Sequence, residues 1–246
     1  MRETMVLLPW WPFSAEVFSS LPFYKSALAV FDERFEVTVV DLPWIISESA
    51  RGVTPRTLDD VAKSFVPYVA AETHLVGIGG SGIWAMLATS RQTPQLKSFV
   101  FDSFPVPPGT LTALGLSGLA DMAAVALHVE PPVLRQLAPM AMPGGSAGDI
   151  SELIARVRPT IDWDHCGAAF RLAQEVNLLE REIVLPRRTL FLDNPVAFPG
   201  LLDRRMAKKL FPNVEVQTRE ASDVMDSDKG TRFAEQVSDF ATGRSR

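Results

Sequence analysis

Short apolar runs alternate with longer amphipathic stretches along this chain, and the alternation predicts its architecture. Met5–Leu8 is apolar and stops at Pro9, and Phe35–Leu42 is rich in β-branched residues and stops at Pro43. Leu75–Ile78 runs into glycines, Ser98–Phe101 stops at Asp102, Thr189–Leu192 stops at Asp193, and Val214–Thr218 follows Pro212-Asn213. Helices are expected between them over Ser14–Leu28, Thr57–Ala71, Ile83–Arg91 and Gly200–Leu210, with a last one over Thr231–Ala241. Strands alternating with helices predict an α/β fold with a doubly wound, mostly parallel sheet.

The rhythm breaks between Phe104 and Arg188. That stretch is rich in Pro, Met, Ala and Leu, with loop signals at Pro107-Pro108-Gly109 and Pro143-Gly144-Gly145. Helices are expected over Asp149–Val157, with Asp149 as N-cap, and over Asp164–Glu182. The chain therefore divides into a core, residues 1–103 and 188–246, and a helical insertion, residues 104–187.

With 246 residues, 47% of them hydrophobic, the chain can bury a core of this size. A net charge of −5 argues against nucleic acid as a partner, because that would call for a concentrated basic face. The basic run Arg204-Arg205-Met206-Ala207-Lys208-Lys209 reads as one solvated helix face. Cys166 is the only cysteine, so no intrachain disulfide and no thiolate metal cage can form. His74, His128 and His165 are the only imidazoles and are not clustered, so no metal is expected. No secretory leader pattern and no apolar run near the ~20 residues of a membrane span are present, which leads to the expectation of a soluble, cytoplasmic protein without membrane contact.

Chemistry concentrates in His74-Leu-Val-Gly-Ile-Gly-Gly-Ser-Gly-Ile-Trp-Ala-Met-Leu-Ala-Thr89. A strand entering glycines and then a helix suits two designs. Gly77-x-Gly79-x-x-Gly82 satisfies the dinucleotide fingerprint, and Asp102 ends the next strand at the spacing expected of a ribose-binding carboxylate, which would mean nicotinamide or flavin binding. The same segment fits, incompletely, the G-x-S-x-G nucleophile elbow.

Over nearly its whole length the chain resembles the α/β-hydrolase superfamily, in its esterase and hydroxynitrile lyase branch. Val6-Leu-Leu-Pro-Trp-Trp-Pro12 is similar to the family's first strand and oxyanion loop, and Val39-Val-Asp-Leu-Pro43 to its Asp-x-Pro-Gly strand end. Phe99-Val-Phe-Asp-Ser-Phe-Pro-Val-Pro-Pro108 resembles the junction into the cap, which makes the insertion a helical cap. Thr189-Leu-Phe-Leu192 and Pro212-Asn-Val-Glu-Val216 resemble the strands that carry the acid and precede the histidine.

The resemblance implies a Ser–acid–His triad in that chain order. Carried over by position, it places Gly79 where the nucleophile should stand, Ser81 at the last glycine and Asp223 at the histidine. No histidine follows His165, and Asp193 is a displaced candidate for the acid. The oxyanion donors implied by the resemblance would be the backbone N–H groups of Trp11 and Gly80, with Pro9 and Trp10 standing where the family has His-Gly and the indoles of Trp10 and Trp11 either lining or plugging the pocket.

Two functions remain open. One is a non-hydrolytic binder or pseudoenzyme holding a small apolar or carbonyl-containing ligand at Trp10, Trp11, Gly79 and Gly80, without a cofactor. The other is an active enzyme, either an esterase acting through Ser81 or a lyase, cyclase or isomerase using Asp223 as base. Ser81 also reads as a helix N-terminal residue, and His74, His128 and His165 as solvated side chains. Cys166 reads as a small buried side chain, and Asp102 as a turn cap. A homo-oligomer is compatible with the sequence.

Overall fold

The computed structural model of the chain describes residues 2–11, 13–45, 54–68, 72–89, 96–103, 106–118, 120–121, 146–180, 183, 185–193, 204–220 and 223–244. Six strands build one sheet: β1 (Glu3–Leu8), β2 (Phe35–Val39), β3 (His74–Ile78), β4 (Ser98–Asp102), β5 (Thr189–Asp193) and β6 (Glu215–Thr218). Their order is β2-β1-β3-β4-β5-β6, and every neighbouring pair is parallel. The central strands β3 and β4 are buried along their whole length, as a sheet covered on both faces requires.

The core helices are α1 (Ala15–Ser20), α2 (Pro22–Arg34), α3 (Leu58–Phe65) and α4 (Ser81–Thr89). Residues 104–187 contribute α5 (Pro108–Ala113), α6 (Ala147–Val157) and α7 (Trp163–Gln174). The last two helices are α8 (Arg204–Leu210) and α9 (Ser227–Thr242).

Several boundaries differ from expectation for identifiable reasons. The helix expected over Ser14–Leu28 is two helices, because Pro22 starts a new one as its first residue and leaves Leu21 extended. Asp149 is not the N-cap of α6. Ser146 is, and Asp149 sits three residues on, returning its carboxylate to the Ser146 N–H at 2.8 Å in a reciprocal capping box. The helix expected over Asp164–Glu182 stops at Gln174, where the chain turns and Val176 and Leu178 enter the core. The ends of the helices expected over Thr57–Ala71, Ile83–Arg91 and Gly200–Leu210 lie partly outside the described residues, as does His128.

Aromatic side chains join α7 to the core. Trp11 meets Phe170 edge-on at 4.9 Å, and Trp44 lies 5.7 Å from Phe170 and 6.5 Å from Trp84. The Trp44 carbonyl accepts the Asp162 N–H at 2.8 Å, and Ile45 bridges to Ile161. These contacts tie the stretch between β4 and β5 to the loops that follow β1 and β2. No helix among the described residues is long and apolar enough to cross a membrane.

Candidate active site and its ion pair

In a parallel sheet, the carboxyl ends of the strands open where the chain reverses its direction of strand addition. Here β1 is followed by β2 on one side and β3 on the other, so the reversal lies between β1 and β3. Two segments meet there. One is the loop Pro9-Trp10-Trp11 after β1, and the other is the turn Gly79-Gly80 between β3 and α4.

Gly79 has φ +58, left-handed backbone that side chains with a Cβ adopt only under strain. Its N–H donates to the Asp102 carbonyl at 2.6 Å, and its carbonyl accepts the Gly82 N–H at 3.1 Å. A Cβ on Gly79 would lie 2.1 Å from Cδ1 of Trp10, so the indole occupies the space above this residue. Gly77 serves close packing: a Cβ there would come within 2.7 Å of the Gly82 Cα. The fingerprint glycines thus bring β3 against α4 and clear room for Trp10.

Ser81 is fully buried as the first residue of α4. Its hydroxyl is directed at the carbonyls of Ile78, at 2.8 Å, and Leu8, at 3.1 Å, which fastens the helix start to the end of β1. Asp223 accepts the Met225 N–H at 3.0 Å and offers its carbonyl to Asp226, so it closes the turn before α9. Trp10 is half-buried and packs edge-on against Phe13 at 5.5 Å. Trp11 is buried, and its indole N–H donates to Cys166 Sγ at 2.9 Å. The Gly80 and Trp11 backbone N–H groups have no hydrogen-bond acceptor among the described residues.

The remaining candidates fall apart in space or chemistry. His74 is not a solvated strand-edge residue: it is 2% exposed, at the amino end of β3, opposite the Gly79 turn. His165 is likewise buried rather than solvated, and burial holds its imidazole below the ordinary range despite the nearby Asp162. Burial also pushes the Cys166 thiol far up, which leaves it an inert core side chain. Asp193 ends β5, and its carbonyl accepts the Arg219 N–H at 3.0 Å. The basic run on α8 is exposed at Arg204, Arg205, Lys208 and Lys209, as a solvated face requires. No group of three or more His, Cys, Asp or Glu among the described residues is placed to hold a metal.

Sequence reasoning missed Arg219. Its guanidinium, just after β6, grips the fully buried Asp102 with two parallel bonds, Nε to Oδ1 and Nη2 to Oδ2, the latter at 2.9 Å. The same guanidinium donates to the Glu220 carbonyl at 3.0 Å and lies over the rings of Phe233, at 5.5 Å, and Phe23, at 5.9 Å. Nearby Tyr24 is pushed well above the ordinary phenol range by burial, and secondarily by the Asp102 charge. Asp102 is therefore neither a simple turn cap nor open to a ribose: both oxygens are engaged. The available signal was a pair of opposite charges at two strand ends, Asp102 and Arg219, in a chain that places strand ends together.

No protein-family model and no curated protein matches the chain. Solved structures do. An esterase from Exiguobacterium antarcticum superimposes with a TM-score of 0.73 at 11% identity, over 98% of this chain and 92% of that one. A bromoperoxidase from Bacillus anthracis gives 0.70 at 13%, over 98% and 92%. The esterase RhEst1 from Rhodococcus gives 0.67 at 18%, over 99% and 92%. The chain has the α/β-hydrolase fold.

Proposed function

We propose that this is a non-hydrolytic α/β-hydrolase-fold protein, a pseudoenzyme that binds a small apolar or carbonyl-containing molecule beside Trp10 and Trp11. The observation that carries the reading is the Trp10 indole in the space a side chain at Gly79 would need, and Gly79 is the position the family resemblance gives to the nucleophile. Acyl transfer needs a nucleophile there and an imidazole within hydrogen-bond reach. Gly79 supplies no such side chain, and the turn before α9 offers Asp223 in place of an imidazole.

Support also comes from Ser81. A hydroxyl wholly buried and directed at main-chain carbonyls is closed to substrate, and no base is among its partners in the described residues. What the site retains is a pair of amide donors, Gly80 and Trp11, without an acceptor among the described residues and next to aromatic surface. That combination suits an uncharged ligand with one hydrogen-bond acceptor. The esterase and bromoperoxidase activities of the structural neighbours accordingly stay with those proteins, and the described helices of the insertion, α5, α6 and α7, are the candidate cover of the site.

The test is a pair of measurements on the purified protein. Turnover of p-nitrophenyl acetate and butyrate is expected to stay at the uncatalysed rate, while acetophenone is expected to bind saturably in calorimetry. Ester hydrolysis that disappears in Ser81→Ala or Asp223→Asn would overturn the proposal.

A further inference from the structure

The amino-terminal edge of the sheet carries a Ser–His–carboxylate chain of its own, far from the Gly79 turn. His74 Nδ1 lies 2.8 Å from Ser98 Oγ, and His74 Nε2 lies 3.0 Å from Glu3 Oε2. The residues come from β3, β4 and β1, and the sheet register brings them together: His74 pairs with Ser98 in β3–β4 and with Met5 in β1–β3. Ser98 has no exposed surface, so no substrate reaches it, and the chain is not a catalytic triad.

We propose that Ser98, His74 and Glu3 form a pH-sensitive latch that holds this edge of the sheet closed at neutral pH and loosens it on mild acidification. The tautomer follows from the partners. An ionised carboxylate only accepts, so Nε2 carries the proton toward Glu3, and Nδ1 accepts the Ser98 hydroxyl. The neutral ring is then satisfied at both nitrogens.

A proton added at Nδ1 turns that acceptor into a donor. Ser98 would have to rotate to accept it, and its own hydroxyl proton would lose its partner inside the protein. The surroundings oppose the added charge. His74 is almost wholly buried, with the Phe35 ring of β2 edge-on at 5.3 Å. Lys97, just before β4, and Arg188, just before β5, both repel a charged imidazole. Glu3 attracts it, but Glu3 is shared with Lys97 at 2.5 Å, and Lys97 also faces Glu72 at 3.8 Å. Burial prevails, and the ring is held below its ordinary value of 6.5.

The sign of the linkage follows. Below pH 6.5 the unfolded chain takes up a proton that the latched state refuses, so stability of this edge is lost as pH falls from 6.5 toward the native value.

The test combines exchange and titration on the full chain. Hydrogen-exchange protection of residues 3–5, 73–75 and 97–99, corrected for intrinsic rates, is expected to fall more from pH 7.5 to 5.5 than that of residues 76–78 and 100–102, with about tenfold as the ceiling for one imidazole that stays neutral in the latched state. In NMR titrations, with the His74 resonance identified by its loss in His74→Gln, the two neighbours are expected to act in opposite directions. Ser98→Ala removes a bond to the neutral ring and raises the titration midpoint; Glu3→Gln removes the attraction for the charged ring and lowers it. Uniform loss of protection along the strands, or shifts of the same sign in the two variants, would overturn the latch.

Discussion

Arg219→Met is expected to lower the unfolding free energy by about 3–5 kcal/mol, because it leaves the Asp102 carboxylate buried and unpaired. Asp102 is fully buried and Arg219 only 7% exposed, so solvent cannot take over the lost partner's role. The ion pair also spans the sheet's carboxyl edge. Asp102 ends β4 and its carbonyl holds the Gly79 N–H, while the Arg219 N–H is held by the Asp193 carbonyl at the end of β5. Replacing both partners, as Asp102→Leu with Arg219→Met, is expected to cost well under the sum of the two single changes, because the stranded charge disappears with its partner. Urea unfolding of the four proteins closes the cycle. A single-variant cost below about 1 kcal/mol, the range of a solvated surface pair, would contradict this assignment.

Gly79→Ser, which puts a hydroxyl at the position the resemblance gives to the nucleophile, is expected to destabilise the fold without creating esterase activity. Its Cβ would fall 2.1 Å from Trp10 Cδ1 and 2.7 Å from Nε1, atoms on the near side of the indole, so the ring has to leave. Overpacking of this kind costs about 1–3 kcal/mol, and the left-handed backbone adds roughly 1–2 kcal/mol for any residue with a Cβ. In a Trp10→Ala background only the backbone part should remain. The cycle in thermal or urea unfolding is therefore expected to show coupling between positions 10 and 79 of at least about 1 kcal/mol. Equal costs in both backgrounds would mean that Trp10 does not fill the space above Gly79.

Strand positions were legible in the sequence because the strands of this parallel sheet are short, rich in apolar residues and ended by Pro, Gly or Asp. Met5–Leu8, Phe35–Leu42 and Thr189–Leu192 each predicted a strand that the structure contains to within a few residues. Helix limits were less legible where one residue serves two readings. Asp149 is acidic at a helix start, and only the position of Ser146 three residues earlier separates an N-cap from a capping-box partner. The Gly79 turn was legible through its glycines.

What surrounds the turn was not, because partners distant in sequence decide it. Trp10 above Gly79 is a contact between loops 69 residues apart in the chain, and Asp102 with Arg219 spans 117 positions. Sequence alone points to solvated His74 and His165, because polar residues at element ends usually are exposed. Here sheet pairing buries His74 between Ser98 and Glu3, and α7 turns His165 inward.

Covalent labelling tests the proposal that no serine at the Gly79 turn acts as a nucleophile. The native protein would be incubated with a fluorophosphonate probe and its intact mass recorded, with Ser81→Ala alongside. An unmodified chain at the mass calculated from its sequence is expected. One adduct per chain, mapped to Ser81 and lost in the variant, would contradict it and make the protein a serine hydrolase.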